Sequence, residues 1–273
     1  MTSFDAINLQ PDVIIKNAQN KILFRHRKSE IDIYWLNNRS ENPASAEVSF
    51  KISGKVPELW NPQTGTTEKV SYQFKDGRTI VPLKFESWDA FFIVFKDKAV
   101  ANSFTLPAVR ENQLATISGE WNISFQKDRG APASIKVNEL SSWTSHADDG
   151  VKYFSGTATY AKTITADKSW VEAGEELWLD LGEVKNLAEI IVNGKSLGIV
   201  WKQPFRLNVT GALKTGNNKV EIKVTNLWVN RLIGDQQPGV TNKITYTTMP
   251  FYQANSPLLP SGLIGPVKIY SKD

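Results

Sequence analysis

Apolar residues in this chain recur at every second position, in short runs broken by turn sequences. Along Glu30–Leu36, Ile31, Ile33 and Trp35 fall on one face, while Asp32, Tyr34 and Leu36 fall on the other. Val48, Phe50 and Ile52 repeat the period, as do Val70, Tyr72 and Phe74. Alternation of this kind is the signature of strands, whose successive side chains project to opposite faces, and no run sustains a helical period. Ser87–Lys96 contains the unbroken apolar run Ala90–Phe95, which suits a strand buried on both faces. Between the runs lie Asn37-Asn38-Arg39-Ser40, Asn61-Pro62-Gln63-Thr64-Gly65 and Asp76-Gly77, all competent turns. Strands about 10 residues apart point to an antiparallel sandwich. One segment departs from this. Pro11–Asn20, with Val13, Ile14 and Ala18, predicts a short helix opened by proline within a lead-in over residues 1–19.

The expected organisation is all-β: a first sandwich over residues 20–100, a linker over 101–112 containing Pro107, and a second sandwich over 113–273. The second series of strands is Gly119–Gln126, Val151–Ile164, Glu176–Leu181, Ala188–Val192, Leu197–Trp201, Lys219–Asn226 and Val267–Tyr270. Asn193-Gly194 joins two of them and is the strongest hairpin signal, because both residues tolerate positive φ. A single helical turn is expected near Val209–Lys214. Gln236–Gly265 is polar and proline-bearing, and reads as a long loop over the sandwich whose Tyr246, Phe251, Tyr252 and Leu263 need somewhere to pack.

Composition removes several classes of function. There is no cysteine, hence no disulfide, thiolate zinc site or thiol nucleophile, and two histidines do not make a multi-histidine metal site. The charge balance of 32 basic against 28 acidic residues is near even and its signs are interspersed, unlike the concentrated patch of a nucleic-acid binder. No apolar stretch is long enough for a membrane-spanning helix. Met1-Thr2-Ser3-Phe4-Asp5 has neither a basic nor an apolar leader and reads as a start placed before a segment of something longer. The compartment stays open.

The second half resembles the galactose-binding-like jelly roll that serves as the sugar-binding domain of family 2 glycoside hydrolases. The residues that carry this are Leu179-Asp180-Leu181-Gly182, Ala188–Lys195, Leu197-Gly198, Trp201, Pro204-Phe205, Gly216-Asn217 and Val220–Asn226. Three further segments are Lys152–Tyr160, Asn226–Asp235 and Leu259–Val267. Together with Phe24–Arg27, Asp32-Ile33-Tyr34 and Gly54–Gly65, they resemble the C-terminal region of glycoside hydrolase family 106, the α-L-rhamnosidases. This resemblance spans about residues 20–271. It implies a bacterial, secreted or periplasmic parent with a preceding catalytic (β/α)8 barrel, whose alternating strands and helices are absent here. On that reading the chain is the non-catalytic, sugar-binding-like portion of an enzyme acting on rhamnose-containing plant or algal polysaccharide. Its partners are then carbohydrate and the missing barrel, with no nucleic acid or membrane. A free-standing carbohydrate-binding protein is the alternative.

Candidate residues follow from chemistry. Glycosidases use paired carboxyl groups, but none of Glu58, Glu86, Asp89, Glu120, Asp180, Glu183, Glu189 and Asp235 lies in a motif that fixes such a pair, so no catalytic residue is assigned. Tryptophan faces stack on sugar rings, which makes Trp201, Trp228 and Trp143 platform candidates, whereas Trp35 and Trp121 read as core. Arg231 and Asp235 have two readings, an internal ion pair that holds the tail or a substrate- or barrel-facing role. The expected face combines Trp201, Trp228, Asn230, Arg231, Asp235 and Tyr252. His26 and His146 have no serine or cysteine partner, and Arg25-His26-Arg27 is a candidate contact with the barrel. No cofactor is required and no metal site is assigned. Asp148-Asp149-Gly150 is the one place for a structural calcium, against a solvated turn.

Overall fold

The computed structural model describes residues 10–172 and 174–273, and the chain forms two compact units, Met1–Ala108 and Val109–Asp273. Both are built from open antiparallel sheets. The described helices are short, at four, five and six residues.

In the first unit one sheet orders its strands as Val13–Lys16, Ala44–Phe50, Arg78–Phe85, Tyr72–Lys75 and Ser103–Phe104. The other orders them as Ile22–Lys28, Asp32–Asn38, Ala90–Lys98, Lys55–Asn61 and Thr66–Lys69. Their inward residues meet in one core, with Val48, Phe50, Val81 and Leu83 from the first sheet against Tyr34, Leu36, Ile93 and Phe95 from the second. Asp32–Asn38 alternates as expected, but Tyr34 and Leu36 point inward and Trp35 stays half-buried on the opposite face. The phenol explains the choice of face. Tyr34 stacks on His26 at 4.0 Å and donates from its hydroxyl to Asp12 Oδ1 at 2.9 Å, so its polar tip is satisfied on the inward face.

Two expectations fail, one within this unit and one where the chain passes into the second. Pro11–Asn20 contains the strand Val13–Lys16, paired with Ala44–Phe50, instead of a helix. Three consecutive β-branched residues, Val13-Ile14-Ile15, favour that outcome, and Asn17 at φ 58° turns the chain out of the strand. Residues 101–112 are not a bare linker either. Ser103–Phe104 pairs with the Tyr72 strand, and Glu111–Thr116 pairs with Lys268–Lys272.

In the second unit a six-stranded sheet runs Ser134–Val137, Trp121–Phe125, Thr157–Ala166, Gly216–Thr225, Leu187–Val192 and Lys195–Val200. A four-stranded sheet runs Glu111–Thr116, Lys268–Lys272, Glu176–Asp180 and Arg206–Asn208, and Glu183–Lys185 pairs with Gly262–Gly265 beside them. Trp121, Ile123, Tyr160, Ile190 and Ile222 from the larger sheet pack with Leu177, Leu179 and Ile269 from the smaller. Asn193-Gly194, at φ 51° and 81°, closes the two-residue hairpin between Leu187–Val192 and Lys195–Val200. The strand expected from Val151 begins later, at Thr157. Asp148 intervenes, because its Oδ1 accepts from Gly150 N at 2.7 Å and caps the helical turn Asp149–Lys152.

Candidate functional site

The three segments Lys152–Tyr160, Asn226–Asp235 and Leu259–Val267 converge on the short helix Val229–Gly234. Asn226 grips the first of them: its Oδ1 accepts from Gly156 N at 2.9 Å and its Nδ2 donates to Phe154 O at 2.9 Å. Ser155 Oγ closes the same contact from the other side, accepting from Arg231 N at 3.1 Å and donating to Leu227 O at 2.8 Å. Asn230 holds the third segment as a pincer, donating to Leu259 O at 2.8 Å and accepting from Leu259 N at 2.9 Å. Asp235 holds the beginning of the tail, and its Oδ2 accepts from Ile244 N, Thr245 N and Thr245 Oγ1 at 3.1, 2.7 and 2.6 Å.

Arg231 and Asp235 therefore form an internal pair, Nε to Oδ1 at 3.0 Å, with side chains 8% and 1% exposed. The contact is an ion pair without aligned hydrogen-bond geometry. Glycine makes room for it. A Cβ on Gly130 would lie 3.0 Å from Arg231 Nη1, and one on Gly234 would lie 2.5 Å from Nη2. Of the two readings of Arg231, the structure displays the one in which it fastens the tail.

Beside this clasp opens a cleft of about 460 Å³ lined by Trp228, Leu232, Ile244, Thr245, Tyr246 and Thr247. Trp228 is half-exposed and Tyr246 is nearly free of the fold, so two aromatic side chains and two threonines border one space, with the Thr245 hydroxyl donating to Asp235 and that of Thr247 to Met249 O. Arg129 lies over the Trp228 ring at 4.8 Å. Trp201 is exposed after the edge strand Lys195–Val200, and Tyr252 is half-buried with its ring 5.1 Å from that of Phe251. Neither lines this cleft. Trp143 belongs to the core, where its Nε1 donates to Tyr160 Oη at 2.6 Å. Tyr246 and Phe251 do not pack as expected and remain exposed, whereas Leu263 is fully buried. Arg129 and the run from Ile244 to Thr247 carried no recognised motif. The available signal was Tyr246 flanked by threonines in a tail without strand period.

Most of the remaining candidates have structural partners. Glu58 accepts from Trp60 Nε1 at 3.1 Å and pairs with Lys96 at 3.2 Å. Asp180 pairs with Arg206 at 2.8 Å, Glu120 with Lys136 at 3.0 Å, and Glu183 with Lys185 at 3.0 Å. Asp89 accepts from Glu86 N and Ala90 N. Glu189 accepts from Ser196 Oγ at 2.7 Å and pairs with Lys223 at 3.1 Å, and these two hydrogen bonds hold its carboxyl below the usual range. His26 bridges Asp12 and Asp32 at 2.9 and 3.2 Å. At Asp148-Asp149-Gly150 the Asp148 Oδ1 accepts from Gly150 N and Val151 N as the helix cap. No group of three or more histidine or acidic side chains suited to a metal occurs among the described residues.

The second unit is thus a jelly-roll sandwich with an aromatic-bordered cleft on an irregular segment, the place where rigid scaffolds commonly carry functional side chains. The family described as glycosyl hydrolases family 2, sugar binding domain, matches residues 84–252, and the family described as alpha-L-rhamnosidase, glycoside hydrolase family 106, matches residues 1–74. The chain belongs to the former family, which covers most of its length. A rhamnosidase structure from Novosphingobium sp. PP1Y superposes with TM-score 0.91 at 45% identity, covering 99% of this chain and 26% of that one. A protein of Formosa agariphila named "Putative beta-glucuronidase" is 40% identical over 176 residues, covering 56% of this chain. The chain thus spans about a quarter of the first relative and 15% of the second.

Proposed function

We propose that the chain is a non-catalytic, carbohydrate-binding portion of an α-L-rhamnosidase-like glycoside hydrolase that acts on rhamnose-containing polysaccharide. The observation that carries this is the cleft at Trp228, where aromatic side chains suited to the C–H side of a sugar ring stand beside Thr245 and Thr247. Support comes from the family matches and from acidic side chains that are engaged in caps and ion pairs. In this reading Trp228 stacks on the sugar, and Trp201 and Tyr252 extend the face. Asn230, Arg231 and Asp235 act on it through the segment they hold.

An open cleft removes little of a ligand from water, so a free monosaccharide should bind weakly, with Kd around 1 mM or above. NMR shift mapping of the chain with rhamnose and rhamno-oligosaccharides tests this. Shifts should cluster on Trp228 and Thr245–Thr247 and vanish in Trp228→Ala. Shifts confined to the first unit would overturn the site. Turnover of an aryl α-L-rhamnoside that copurifies with the chain would overturn the non-catalytic role.

A further inference from the structure

We infer that the Trp228 cleft selects saccharides bearing an anionic group, a carboxylate or a sulfate ester, and that Arg129 receives the charge. The inference rests on the carbohydrate-binding reading above and adds a chemical class to it.

Arg25, Arg27, Arg39 and Arg110 are exposed, and the other arginines that are at least half-buried each meet a partner. Arg206 meets Asp180 at 2.8 Å and Glu111 at 3.1 Å, and Arg231 meets Asp235 at 3.0 Å. Arg78 donates to Ser49 Oγ and to the carbonyls of Pro11, Asp12 and Ser49. Arg129 differs. It is half-buried and seated on the Trp228 ring at 4.8 Å, yet no carboxylate among the described residues lies within ion-pair distance of it, and its neighbour Asp128 is no exception. A guanidinium stacked through its flat face keeps five N–H donors in its own plane, arranged as a fork that matches a carboxylate or sulfate. Stacking also holds the group in position before any ligand arrives, which lowers the ordering cost of binding.

The surroundings favour the same sign. None of the six residues that line the cleft is acidic. The nearest carboxylate of the clasp, Asp235, is 2% exposed and has both oxygens engaged, one by Arg231 and one by Ile244 and Thr245. Lys243, which precedes the lining residue Ile244, meets only the neutral Gln236, Nζ to Oε1 at 3.4 Å. A neutral sugar would use the indole but would leave the fork of Arg129 to water.

The test is calorimetric titration of the chain with trigalacturonate, its methyl ester and a sulfated carrageenan oligosaccharide, beside neutral rhamno-oligosaccharide. Trigalacturonate or the sulfated oligosaccharide should bind about tenfold or more tightly than the ester, with an advantage that shrinks as salt is raised. Arg129→Gln should bring the acid down to the affinity of the ester, and Arg129→Lys, which keeps charge without the fork, should fall between. Unchanged thermal unfolding of both variants separates this from a folding defect. The tighter of the two anionic arms identifies the group recognised. Binding of both anionic oligosaccharides no tighter than that of the ester, or an advantage that survives Arg129→Gln, would overturn the inference while leaving carbohydrate binding intact. Absence of binding by every saccharide would overturn both.

Discussion

Tyr160 stands where distant parts of the second unit meet. Its hydroxyl accepts from Trp143 Nε1 at 2.6 Å and from Leu263 N at 3.0 Å, and burial pushes the phenol well above its ordinary range. Tyr160→Phe conserves shape but strands two buried donors, each costing roughly 1–3 kcal/mol. Urea denaturation should show that loss, with an unchanged m-value if only the native state is affected. Gly262 makes the meeting possible. At φ 94° a Cβ there would lie 2.7 Å from the Trp143 indole and 2.8 Å from the Tyr160 hydroxyl. Glu189 provides the pH-sensitive counterpart. Its carboxyl is held down in the folded state by Ser196 and Lys223, so the unfolded chain binds more protons in the acid range. The stabilisation is present above the unfolded pKa and disappears as pH falls through the folded one. Glu189→Gln should therefore flatten the decline of Tm between about pH 5 and pH 3, where an unperturbed glutamate titrates.

At the scale of elements, the helix Val229–Gly234 is too short to persist alone, and its side chains join three separated segments. The two members of its ion pair are not equivalent. Losing Asp235 strands Arg231 together with the N–H groups of Ile244 and Thr245, whereas losing Arg231 leaves Asp235 with three donors. Asp235→Ala should cost about 3–5 kcal/mol, the range for breaking a buried pair, and Arg231→Met measurably less. Limited proteolysis should cut the Asp235 variant faster between residues 236 and 258. Much of the sheet scaffold was legible because alternation and turns are local: Asn193-Gly194 marks its hairpin, and Val220–Val224 marks the strand that pairs with Leu187–Val192. The clasp was legible only as a motif. The bonds of Ser155 to Arg231 and of Asn230 to Leu259 join residues 76 and 29 positions apart, and nothing in local period reports them. Thr66–Lys69 was missed for the opposite reason, being an edge strand with every residue exposed and no apolar face to show.

For the molecule as a whole, the even charge balance leaves little long-range field, so recognition falls to individual side chains. Several apolar ones are displayed openly: Tyr246, Phe251 and Met249 are 90%, 80% and 76% exposed. Met249→Ser with Phe251→Ser should change stability by no more than about 0.5 kcal/mol, as is usual for surface positions, while raising the concentration at which the chain self-associates in light scattering. The same stretch has one further property. Asp235 fixes it at Thr245, and Gln237 Nε2 fixes it again at Ala254 O, 2.9 Å away. Between these anchors Thr247 bonds Met249, and Gln253 bonds Pro250 O and the nearby Ser256. Lengthening such a span costs only about 0.6 kcal/mol per doubling. The segment is thus an interchangeable cassette, in which new ligand preferences can be tried while the sheets beneath keep their sequence.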